Sequence, residues 1–183
     1  VPPIFLNLSQ KVFVFPDKSQ RTVDLLIKSA SGSALDAQVS LVLPEGWTSV
    51  PASMPIHLTK RGEELKASFQ VTPGNTTGSL MMRAEAMING KRHRHALQTI
   101  SYDHIPFQTL LPEAEAKLVR TDIQKAGQLV GYVQGAGDEI PDALRNMGYE
   151  VWVMKDEEVT QANLRRLDAV VLGIRALNTN ERI

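Results

Sequence analysis

Residues 131–154 read GYVQGAGDEIPDALRNMGYEVWVM, and the reading of this stretch decides the fold. An apolar run ends at Val133, glycines and an aspartate follow, a helical pattern comes next, and a second apolar run closes the stretch. Ile140, Ala143, Leu144 and Met147 recur at helical spacing. Pro141 suits a first helical turn, and Gly148 suits the position just past the end. "LVGYVQ", "YEVWVM" and "AVVLG" are nearly continuous apolar runs, as strands buried on both faces of a parallel sheet are. Between the last two, Thr160 can cap a helix with Leu164 and Leu167 on one face. After about Lys125 the predicted order is therefore β-α-β-α-β, a partial three-layer, flavodoxin-like α/β domain with right-handed crossovers. Such a half leaves an open sheet edge, which invites a homodimer or strand exchange with a second copy.

The turn at Gly135, Ala136, Gly137 and Asp138 raises the question of ligand chemistry. A glycine turn before a helix can aim backbone N–H groups at a phosphate. The dinucleotide fingerprint needs a third small residue where Ile140 stands, and no phosphate-loop motif with its lysine occurs. Asp138 and Glu139 also put two carboxylates where an anion would sit. The leading reading is a tight turn with Asp138 at or near the helix cap. The competing reading is an uncharged small ligand on the C-terminal rim of the sheet, contacted by Gly135, Gly137, Asp138 and Arg175. Asn178 and Asn180 follow on that rim, and a structural pairing of Arg175 with Asp138 or Glu139 is expected.

Up to about Tyr102 the pattern alternates instead, as half-buried strands do. Val23, Leu25 and Ile27 fall on one face, as do Val39, Leu41 and Leu43, then Leu65, Ala67, Phe69 and Val71, then Leu80, Met82, Ala84 and Ala86. Asn89-Gly90 between strands is a tight-hairpin signal. Seven short strands predict an immunoglobulin-like β-sandwich over residues 1–102, a connector over 103–127 and the α/β part over 128–183. In the connector, Ile105, Phe107, Leu110 and Leu111 would be costly to leave wet, and "AKLVRTDI" reads as one more strand.

Composition bounds the chemistry. The 183 residues carry 20 Lys+Arg and 20 Asp+Glu, so no net charge argues for nucleic acid or an anionic membrane. Cysteine is absent, which removes disulfides, thiolate zinc sites and a Cys nucleophile. No apolar run nears the roughly 20 residues that cross a bilayer. The ends read as cut from a longer polypeptide.

Three smaller motifs have competing readings. His93 and His95 in "GKRHRH" sit at strand spacing, where H-x-H can start a metal site. Lys91, Arg92 and Arg94 would repel a cation, so a solvated basic arm is favoured and an anionic partner comes next. Asp103 and His104 in "YDHIP" are neighbours that an extended chain points to opposite faces, which disfavours a catalytic relay and favours an interdomain hydrogen bond. Trp47 could stack on a sugar ring, although a Trp in a sandwich more often fills or covers the core.

Two resemblances rest on these residues. Pro44, Gly46, Trp47, Leu58, Gly62, Glu63, Thr72 and Pro73 resemble the pattern of the NEW3-type immunoglobulin-like module that accompanies carbohydrate-active enzymes. "YDHIP", the 131–151 stretch and "LDAVVLGIRALNTNERI" together resemble the C-terminal region of large PIG-L-type deacetylases of Bacteroidetes-like bacteria, where a sandwich precedes a class I glutamine amidotransferase-like domain. The resemblance implies a periplasmic or secreted parent. The "HPDDE"-like motif of PIG-L catalysis and the amidotransferase cysteine are both missing. The expectation is thus a non-catalytic accessory or scaffolding segment with no cofactor or metal. Its partner would be the catalytic remainder of its parent chain, with weak carbohydrate contact at Trp47. The alternative is a small-ligand-binding α/β module.

Overall fold

The computed structural model describes residues 1–179. The chain divides into two compact units, one of residues 1–13 with 18–120, the other of residues 14–17 with 121 onward. In chain order the strands up to Arg120 are β1 (Ile4–Leu8), β2 (Val12–Phe15), β3 (Arg21–Ser29), β4 (Leu35–Val42), β5 (Thr48–Val50), β6 (Ser53–Leu58), β7 (Glu64–Thr72), β8 (Gly78–Ile88), β9 (Lys91–His93), β10 (Gln98–Tyr102), β11 (Ile105–Leu110) and β12 (Glu115–Arg120). Three of these escape the alternation: β1 is nearly continuously apolar, and β5 and β9 have three residues each.

One sheet runs β1-β3-β7-β5 and a second runs β2-β12-β8-β4-β6, with β9 on β8. The alternation decides which face turns inward. Val23, Leu25 and Ile27 of β3 are fully buried, as are Phe69 and Val71 of β7 and Met82, Ala84 and Ala86 of β8. β3 and β7 pair antiparallel with Val23 opposite Phe69 and Leu25 opposite Ala67, which aligns their apolar faces. The outward partners are polar: Lys28 meets Glu64 at 2.9 Å, and Thr22 bonds Gln70. Each fully buried Leu, Ile or Phe contributes about 1.5–3 kcal/mol relative to exposure. Asn89 and Gly90 have φ of 47° and 75°, the left-handed pair that a two-residue hairpin between β8 and β9 needs.

The stretch 103–127 carries two strands. β12 pairs with β8, and its Leu118 is fully buried. β10 and β11 form a two-stranded sheet of their own, with Tyr102 opposite Ile105. Asp103 and His104 are therefore the turn of a hairpin, not neighbours on an extended chain. Phe107 is 65% exposed and Leu110 44%, where burial was expected. The reason is that no second layer covers a two-stranded sheet from within its own hairpin.

The second unit contains β13 (Leu129–Val133), α1 (Ile140–Asn146), β14 (Glu150–Met154), a 3₁₀ turn (Asp156–Glu158), α2 (Gln161–Leu164), β15 (Ala169–Leu172) and α3 (Ala176–Thr179). The sheet order is β14-β13-β15, and both pairings are parallel. The flavodoxin-like expectation is nevertheless corrected. The described residues are about 51% strand and 10% helix, and the helices among them, of seven, four and four residues, do not make layers over a sheet. Neither α1 nor α2 buries a residue. Segments this short gain little from helix propagation after the cost of nucleation. The apolar spacing of Leu164 and Leu167 belongs to a single turn: α2 ends at Leu164, and Leu167 lies against Gly131 and Met154. β13 is buried on both faces, but Val170 and Leu172 of β15 remain 42% and 45% exposed.

Candidate functional site

The turn from β13 into α1 is held by its own side chains. Tyr132, 1% exposed, donates its hydroxyl proton to Asp138 Oδ1 and accepts the Gly135 N–H. The same Oδ1 accepts the Ile140 N–H at 3.2 Å, and Oδ2 accepts the Ile174 N–H at 3.1 Å. Asp138 thus ties three parts of the chain together: the end of β13, the first residue of α1 and the loop after β15. The Tyr132 hydroxyl holds the Asp138 carboxyl below its ordinary range, with the two backbone N–H bonds assisting against partial burial. Burial, with the bond to Asp138, pushes the Tyr132 phenol up to about 12.

The backbone closes the same crevice. Ala136 N–H donates to the Ile174 carbonyl at 2.8 Å, and Gly173 N–H to the Val133 carbonyl at 2.8 Å. A Cβ at Gly135 would run into the Ile174 carbonyl, and one at Gly173 would sit 2.7 Å from Gly135 N. Between β13 and β15 is where an open α/β sheet takes a ligand. Here that space is filled by the chain's own main chain. The amides of Gly135, Ala136, Ile140 and Ile174 already have acceptors, so they form no anion cradle. Gly135 and Asp138 are therefore brought together, both at Ile174. Gly137 lies exposed in the turn with φ of 80°, and a Cβ there meets open space. Arg175 is exposed with φ of 59°, and Asn178 is exposed beside it. Asn180 lies outside the described residues.

Asp168 has a matching role that no local motif announced. Its Oδ2 accepts the Gln128 N–H at 2.6 Å and the Leu129 N–H at 2.9 Å, which pins the start of β13. Those two bonds hold its carboxyl below the ordinary range. The lone signal was Gly127, whose φ of 74° and close approach to Asp168 exclude a side chain.

In the other unit, Trp47 is 6% exposed, its ring 3.0 Å from where a Gly74 Cβ would stand. The little of the ring that remains open faces a cavity lined by Pro44, Gly46, Gly74 and Asn75. His93 is half-buried, and burial first, then the charges of His95 and Lys91, hold its pKa below the ordinary value. His95 is exposed and pairs through its backbone with Glu113 in an isolated antiparallel β-bridge. Among the described residues no three His, Asp or Glu come together as a metal site, and no helix is long and apolar enough to cross a membrane.

No family model matches the chain, and no curated protein matches it. Among solved structures it is similar to WR4, an MSP family member of C. elegans, at 12% identity and TM-score 0.36, covering 64% of this chain and 98% of that one. It is similar to the PapD-like domain 7 of human CEP192 at 12% identity and TM-score 0.37, covering 69% and 91%. The E. coli chaperone DraB gives 11% identity and TM-score 0.36, covering 66% and 57%. The resemblances drawn from the sequence are corrected: the structure is mostly strand with few and short helices, not the PIG-L or glutamine amidotransferase-like α/β arrangement they implied, and the NEW3 reading falls with them. Pro44, Gly46 and Trp47 form a tight turn, with the Trp47 N–H on the Pro44 carbonyl at 3.1 Å and Gly46 at φ of 79°, so turn chemistry accounts for that part of the pattern.

Proposed function

We propose that this chain is a non-catalytic scaffolding segment, a rigid β framework that positions a neighbouring domain or chain. The observation that carries the reading is the state of the most functional-looking turn. Both oxygens of Asp138 and the surrounding amides are consumed in holding β13, α1 and the loop after β15 together. A group so fully engaged has no capacity left for acid-base work or anion capture. Apolar side chains left exposed on β11 and β15 support a role in contact with other protein surface.

The test is a thermal-shift panel of nucleotides, amino sugars and sugar acids on the full chain. A flat panel is expected. Stabilisation that disappears in Arg175→Ala would replace the scaffold with a small-ligand site on the rim.

A further inference from the structure

We propose that the sandwich unit carries a carboxylate-binding cleft between the loop preceding β4 and the β8–β9 turn. Ser31, Ser33, Asn89, Lys91 and His93 line this cleft, with Leu35 and Ile88 among its apolar wall. The donors come from the loop before β4 and from the β8–β9 hairpin, which are distant in sequence.

The charge balance around the basic run selects Lys91. Arg92 and Arg94 both reach the same carboxylate, Glu85 Oε2, at 3.6 and 3.2 Å. Lys91 is in no ion pair among the described residues, and it is the member of the run that lines the cleft. His93 is half-buried beside it and is held in the neutral form by burial, so it offers one ring N–H and no charge at neutral pH. The Ser31 and Ser33 hydroxyls stand 3.3 Å apart, and the Ser33 N–H bonds Ser31 Oγ at 3.2 Å, which orders the loop. Asp36 also lines the cleft and opposes an anion, but its Oδ1 is held by His57 Nδ1 at 2.7 Å. One ammonium with several neutral donors suits a monoanion, and a carboxylate is the common monoanion with two acceptor oxygens.

The experiment is an amide-resolved NMR titration of the full chain with sodium acetate against sodium chloride at equal ionic strength. Saturable shifts at Ser31, Ser33 and Lys91 are expected with acetate alone. Lys91→Gln should weaken binding roughly threefold, Asp36→Asn should tighten it by a similar factor, and Arg92→Gln should leave it unchanged. All three side chains are on the surface, so the variants keep the fold. A second arm compares a short peptide with a free C-terminal carboxylate and its amidated form, which separates a peptide terminus from a free organic acid. Identical shifts with chloride, or acetate binding unaffected by both Lys91→Gln and Asp36→Asn, would overturn the proposal.

Discussion

Asp138 shows how one residue organises the second unit. Its carboxylate accepts from a phenol and two amides, and Tyr132 is buried to serve it. Replacing Tyr132 by Phe removes a donor to a carboxylate and an acceptor for the Gly135 N–H. The expected loss is about 1–2 kcal/mol, read as a lower midpoint in urea. The pH dependence has a definite sign. Asp138 titrates below its ordinary value in the fold, so its contribution is present above about pH 4 and is lost as pH falls through the folded value. Tyr132 titrates at about 12, so its contribution is complete below about pH 10 and is lost as pH rises toward 12. The stability gap between wild type and Tyr132→Phe should therefore narrow above pH 10. A constant gap from pH 7 to 12 would refute the bond's role.

The glycines of the same turn separate two kinds of constraint. Gly135→Ala drives a methyl into the Ile174 carbonyl, which only backbone movement can relieve. We expect a loss of roughly 3 kcal/mol or more there. Gly137→Ala meets no atom and suffers only its φ of 80°, for about 1 kcal/mol. Thermal denaturation of the two variants ranks them, and the reverse order would contradict the closed crevice.

At the scale of elements, two phenylalanines on strands have opposite roles. Phe69 of β7 is fully buried opposite Val23, and Phe69→Ala should cost about 3–5 kcal/mol. Phe107 of β11 is 65% exposed, and Phe107→Ser should change stability by no more than about 0.5 kcal/mol. Chemical denaturation of both variants checks the pair. A large loss at Phe107 would mean that the hairpin is packed against something in solution. Both were expected to be buried, Phe69 on an alternating strand and Phe107 in the connector, so apolar character alone did not tell them apart. What differs is the layer above: β7 has a facing sheet and the β10–β11 hairpin has none of its own.

For the molecule as a whole, burial predicts a gradient of local stability. β3 and β7 lie inside the four-stranded sheet with side chains fully buried, whereas β15 is an edge strand with Val170 and Leu172 exposed. Native-state hydrogen exchange should find the slowest amides in β3 and β7 and the fastest strand amides in β15. Uniform protection across all strands would sink this expectation.

The sequence by itself determined the faces of the longer strands, because a side chain's side alternates with every residue and needs no distant partner. The left-handed bends at Asn89-Gly90 and Gly137 were legible for the same reason: steric limits on φ act within one residue. The tertiary structure alone decided which strands are covered, how the sheets are ordered, and that Asp138 spends its charge on Tyr132 and Ile174. Those outcomes depend on groups far apart in the chain, such as Asp138 and Ile174, 36 residues apart, or Arg21 and Val71 across β3 and β7, and the energy of a contact is not written in either partner.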